Sequence, residues 1–158
     1  MRKVIVNTTP LIALAGIGQL ELLRKLYSEI MIPRAVYHEI ISEPARSLVS
    51  EAEWIKVEKI TGTIQKSAFS SRLHAGEVEV ILLAQEAEAD LLIMDDNAAK
   101  KTAKYLGLIV TGTMGVLIRA KKEGLITEVK PLLEGLINDG LYVSPVVQSY
   151  VLEQTGEK

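Results

Sequence analysis

The residues best suited to chemistry in this 158-residue chain are acids and amides at the ends of apolar runs. Its four Asp are Asp90, Asp95, Asp96 and Asp139, and an adjacent pair closes the most apolar run, in LLIMDDNAAKK. Asp96 or Asn97 can cap the helix that follows. A cap needs one residue, however, and three polar residues stand in a row, so a carboxylate here also reads as a metal ligand. Glu39, in IPRAVYHEII, falls at the margin of an apolar stripe formed by Val36, Tyr37 and Ile40. From that margin it either reaches a cleft or meets solvent. Glu77, in RLHAGEVEVILLAQ, opens a helical pattern, where an acid also interacts favourably with the helix dipole. Asn7, in IVNTTPLI, offers an amide oxygen to a hard cation but no charge. Thr8 and Thr9 beside it can donate to a phosphate oxygen or cap the helix that Pro10 begins.

Composition narrows the chemistry. Cys is absent, which removes disulfides, thiol nucleophiles and thiolate metal sites. With two His, His38 and His74, a His-rich zinc centre is excluded and any metal is bound mostly through oxygen. Neither His carries a partner pattern, and neither is assigned a catalytic role. Lys plus Arg total 18 against 20 Asp plus Glu, so the chain does not hold nucleic acid by overall charge, although a local basic rim is compatible with the balance. No apolar stretch approaches the ~20 residues of a membrane span. The start of the chain lacks the length and cleavage site of a signal peptide. A soluble, cytoplasmic protein is expected.

The elements that must position these residues alternate. Strands are predicted at Val4–Val6, Ile30–Ile32, Trp54–Glu58, Leu91–Met94 and Leu108–Val110. Helices are predicted over Pro10–Ile17, Leu20–Tyr27, Pro33–Ser42, Ala45–Glu53, Gly76–Ala87 and Asn97–Leu106. Met114–Glu123 and Glu128–Asn138 follow, then an extended piece at Leu141–Ser144 and a last helix. The stretch from Thr61 to Arg72, with Thr, Gly and Ser and no clean period, is the best loop candidate. Alternation of this kind implies βαβ units and a parallel sheet covered on both faces, in one domain spanning residues 1–158. Ligands of such sheets collect beyond the carboxyl ends of the strands, where Asn7 and Asp95 fall.

Five motifs in order, strand–NTTPLI, P-x-x-V-x-x-E-I, GE-x-E-x-I-x-L-A, LL-x-x-DD and GT-x-G-x-L, resemble the PIN-domain family. More closely, they resemble a PIN-like prokaryotic branch related to VapC toxins, and the likeness runs from Val4 to about Pro145. It implies a three-layer α/β/α domain with a central, mostly parallel sheet and a Mg²⁺- or Mn²⁺-dependent endoribonuclease. Carried over by position, it implies Glu39, Glu77 and Asp95 as catalytic acids. Asn7 and Asp96 join those three around the metal, and Asn7 stands where most PIN enzymes have Asp. Thr9, Lys100 and Thr113 fall near the substrate phosphate, with Lys101 and Lys104 completing a basic rim. Metal-assisted phosphodiester hydrolysis suits such a set, because the ion holds the phosphate and activates water, and hard cations take oxygen ligands. An RNA substrate and a small antitoxin partner are implied as well; the apolar C-terminal positions (Val143, Val146, Val147, Tyr150, Val151) either close the fold or form the face of an expected homodimer.

Asn7 is the departure, since a neutral amide in place of a carboxylate weakens cation binding. The competing expectation is therefore a PIN fold with little or no catalysis that works through protein contacts. A phosphate-binding module at Thr111–Gly115 is a weaker alternative, because neither G-x-x-x-x-G-K-[ST] nor G-x-G-x-x-G occurs.

Overall fold

A computed structural model describes residues 2–60 and 75–158. The strands are β1 (Val4–Val6), β2 (Ile30–Pro33), β3 (Ile55–Glu58), β4 (Leu91–Ile93) and β5 (Val110–Thr111). They form one sheet in the order β3-β2-β1-β4-β5, and every pairing is parallel rather than mostly so. Val4, Ile5 and Val6 pair with Leu91, Leu92 and Ile93 at the centre. All six are buried, which is why these short runs are apolar at every position instead of alternating.

Among the described residues the helices are α1 (Thr8–Gly16), α2 (Glu21–Tyr27), α3 (Arg34–Glu39), α4 (Ala45–Glu51), α5 (Ala75–Ala87), α6 (Asn97–Tyr105), α7 (Thr113–Lys122), α8 (Lys130–Asn138) and α9 (Pro145–Gln154). The chain runs outward from β1 to β3 on one side and from β4 to β5 on the other. Right-handed crossovers therefore put α1 and α2 on one face and α5 and α6 on the opposite one. Contacts agree: α5 packs on β1 and β2 and meets α6, while α2 meets α7 and α7 meets α1 and α9. The result is the expected three-layer α/β/α arrangement.

Several boundaries differ from the sequence reading, each for a local reason. Helix α1 starts at Thr8, so Pro10 lies inside its first turn and Asn7 takes the cap position without a side-chain cap bond. Helix α3 stops at Glu39 instead of Ser42 because Ile40 is extended, and the carbonyl freed there accepts from Arg46 Nη1 at 3.1 Å. The last strand is Val110–Thr111, not Leu108–Val110. Gly107, at φ +83°, turns the chain so that the Leu108 N–H closes back on the Ala103 carbonyl at the end of α6. Leu141–Ser144 joins no strand; its first N–H returns to the Leu136 carbonyl across Gly140, at φ +103°. The predicted loop Thr61–Arg72 and His74 lie outside the described residues.

The end of the chain is tied down by Glu157. Its carboxylate accepts from the N–H groups of Val129 (2.9 Å) and Lys130 (2.9 Å) at the start of α8, and from Lys121 Nζ at 3.0 Å. Burial works to raise this carboxyl. Hydrogen bonds from the Lys130 and Val129 backbone, from Lys121 and from Thr155 outweigh it and hold the pKa down at about 2.

Candidate active site

In the order β3-β2-β1-β4-β5 the direction of travel reverses between β1 and β4. The crevice beyond the carboxyl ends of those two strands is where an open parallel sheet binds ligands. Asn7 follows β1 directly, and its N–H continues the ladder to the Ile93 carbonyl at 2.9 Å. The backbone is therefore fixed, and the amide side chain is buried at 4% exposure. Its Oδ1 is shielded from solvent and, among the described residues, accepts no hydrogen bond. A buried acceptor left unfilled costs about 1–3 kcal/mol unless something else completes it.

Asp95 follows β4 after the fully buried Met94. Its Oδ1 accepts from the Thr113 N–H at 2.8 Å and its Oδ2 from Thr113 Oγ1 at 2.6 Å. Thr113 opens α7, so the carboxylate also faces the positive end of that helix. Gly112 is required for this approach: a Cβ there would lie 2.7 Å from Asp95 Oδ1 and 3.0 Å from Lys100 Nζ. The same measurement places the Lys100 ammonium beside Asp95.

Glu39 is held by a matching device. Thr8 Oγ1 donates to its Oε2 at 2.6 Å and the Gly76 N–H to its Oε1 at 3.1 Å. Again one hydroxyl and one helix-start N–H grip one carboxylate, and again a glycine leaves room, since a Cβ on Gly76 would collide with that carboxylate. Glu77, the next residue, is buried at 8% exposure in the first turn of α5. Glu39 thus joins α1, α3 and α5, while Asp95 joins β4 to α7.

The remaining residues singled out in the sequence separate into distinct places. Asp96 is the cap of α6, its Oδ2 accepting from the Ala99 N–H at 3.4 Å. Thr113 is fully buried against Asp95 and presents no free face. Thr8, not Thr9, meets an acid; Thr9 is exposed and lines a cavity of about 480 Å³ with Ile12, Ser42 and Pro44. Lys100 lines the clefts beside Asp95, Lys104 lines one of them, and Lys101 lines neither. Of the C-terminal apolar residues, Val143 and Val151 close the core, whereas Val146, Val147 and Tyr150 are exposed. Among the described residues no three acidic or His side chains converge closely enough to form a ready metal cluster. The roles of Thr8, Gly76 and Gly112 were missed. The last two had a signal in the sequence, each standing just before a candidate site residue, Glu77 and Thr113 respectively.

A family model described as a PIN domain matches residues 3–157, almost the whole chain, and the protein belongs to the PIN-domain family. Neither the curated proteins nor the solved structures gave a significant match. The family carries a nuclease-type fold, generally uses divalent metals and generally binds RNA. Among the described residues no helix is long and apolar enough to cross a membrane.

Proposed function

We propose that this chain is a divalent-metal-dependent endoribonuclease of the VapC-like kind, hydrolysing RNA phosphodiesters at the crevice between β1 and β4. The observation that carries this is Asn7 Oδ1, a buried acceptor with no donor among the described residues, at the carboxyl end of the central strand. The donors this reading assigns, Asn7, Glu39, Glu77 and Asp95, with Asp96 adjacent in sequence to Asp95, are all oxygen, which suits Mg²⁺ or Mn²⁺. The ion would supply a polarised phosphate and an activated water. Because no three acids converge among the described residues and Asn7 is neutral, a cation here takes one or two carboxylates, keeps several waters and gains from substrate phosphate. Thr113 and Thr8 hold Asp95 and Glu39 in fixed orientations before substrate arrives, so less reorganisation remains for the reaction. Lys100, beside Asp95, meets the phosphate as a point charge. Pairing with an antitoxin, a homodimer through the exposed part of α9 and a cytoplasmic location belong to the same proposal.

Incubation with RNA and Mn²⁺ tests it. Wild type should cleave and the Glu39→Gln/Asp95→Asn double variant should not; equal cleavage by both refutes the assignment. The second reading, a fold without catalysis acting through protein contacts, is favoured by the neutral Asn7 and by the lack of a ready acid cluster among the described residues. It is distinguished by Asn7→Asp. Cleavage that appears only in this variant supports the second reading, and cleavage by wild type ends it.

A further inference from the structure

A groove of about 780 Å³ follows the edge strand β5 away from Asp95. Five cations line it, Arg2, Lys100, Lys104, Arg119 and Lys122, and Asp95 is the acid among its lining residues. For a chain of net charge −2 that is a strong local concentration of positive charge. Lys100, Lys104 and Lys122 enter no ion pair among the described residues, and Arg2 rests over the Tyr27 ring, 5.8 Å from its centroid. A second cleft, of about 280 Å³, shares Asp95, Lys100, Met114 and Val147 with the first, so the two are continuous around Asp95. Its far wall carries Tyr142, 84% exposed, while Tyr150 lines the first groove at 55% exposure. Exposed tyrosines share one track through an acid with lysines that have no ion pair among the described residues.

We propose that this track is the binding site of single-stranded RNA. Phosphates lie along Lys104, Lys122 and Arg119, unpaired bases stack on Tyr142 and Tyr150, and the strand is carried across Asp95. The proposal rests on the nuclease reading for the identity and strandedness of the polymer, and goes beyond it in assigning the path over this chain's own residues. A basic groove interleaved with aromatic faces suits a single strand, whose bases are free to stack. A duplex hides those faces.

The test reads binding without turnover. Anisotropy of a labelled single-stranded RNA is titrated in EDTA against wild type, Lys104→Glu/Lys122→Glu and Tyr142→Ala/Tyr150→Ala. A control, Lys25→Glu/Lys56→Glu, changes net charge equally but away from the groove. The groove reversal should weaken binding at least ~10-fold and flatten the slope of log affinity against log salt by about 1.4 or more. The tyrosine pair should weaken it at least ~5-fold, and the control should stay close to wild type. Lys104→Gln/Lys122→Gln replaces the charge reversal should that variant not fold. Equal weakening by the control, or duplex RNA bound as tightly as single-stranded RNA, overturns the proposal. Groove-dependent binding by a chain that cuts no RNA leaves it standing and refutes the nuclease assignment alone. Cleavage with unchanged KM in the groove reversal refutes the track alone.

Discussion

Replacing Asn7 by Asp is the most revealing single change. The side chains are nearly isosteric, and the backbone bond from residue 7 to the Ile93 carbonyl does not depend on the side chain. What changes is the charge at a site 4% exposed, whose oxygen already lacks a donor among the described residues. Leaving a buried polar group unpaired costs about 1–3 kcal/mol, with charged groups at or above the top of that range. Without metal at pH 7, Asn7→Asp should therefore lose about 2–3 kcal/mol. For a chain of this size that is a fall in Tm of roughly 4–12 °C. Desolvation raises the introduced carboxyl above its unfolded value of about 3.9. The penalty is then fully present above the raised pKa and shrinks as pH falls and the group is neutralised. Mn²⁺ reverses the effect by binding the folded state, regaining about 2.7 kcal/mol at a hundred times its Kd. Differential scanning fluorimetry in EDTA and in Mn²⁺, between pH 4 and 8, reads all of this. A variant as stable as wild type in EDTA, with a flat pH difference and no larger Mn²⁺ shift, would show that residue 7 does not face a cation site.

Three further outcomes follow from the same geometry. Thr113→Val keeps shape but removes the hydroxyl bonded to Asp95 Oδ2 at 2.6 Å; it should cost about 1.5–3 kcal/mol in denaturant melts and reduce Mn²⁺-dependent cleavage, with Thr113→Ser restoring both. Gly76→Ala drives a methyl into the Glu39 carboxylate, so cleavage should fall about 100-fold, as for a catalytic group displaced by about 1 Å, and unchanged kinetics would mean that Glu39 is not needed where it stands. Glu157, held at about 2 in the fold against an ordinary 4.5, has a depressed pKa. Its stabilisation is complete above 4.5 and is lost as pH falls from 4.5 through 2. After discounting for solvent screening this is about 1–2 kcal/mol. Urea melts of Glu157→Gln should show a shallower loss of stability over that window, and an unaltered acid limb would refute the assignment.

The sheet was legible because its central strands are buried on both faces. Val4–Val6 and Leu91–Ile93 are apolar at every position, as is Ile30–Ile32 in the neighbouring strand. The carboxyl-end placement of Asn7 and Asp95 followed from the strands alone. Polar detail was harder to read, because hydrogen bonds join residues distant in sequence. Thr8 looked like a cap but donates to Glu39, 31 residues away, and Thr113 looked like a phosphate contact but is buried beneath Asp95. Asp96 is the reverse case: its local role as a cap is what the fold uses. Edges drifted where a glycine in the left-handed region re-routed an N–H, as at Gly107 before β5 and Gly140 after α8. Of the basic track, Lys100 and Lys104 were legible as a rim just past Asp95, whereas Arg2, Arg119 and Lys122 left no linear signature, since they join it only once β5 is in place.

The central claim is that a hard cation sits at the β1–β4 crevice. Anomalous diffraction from crystals soaked in Mn²⁺ tests it most directly. The expected result is one peak in contact with Asn7 Oδ1 and with a carboxylate from Glu39, Glu77 or Asp95, lost in the Asp95→Asn variant. A peak elsewhere, for example beside Asp139 in the cavity lined by Thr9, with none at Asn7 would contradict it.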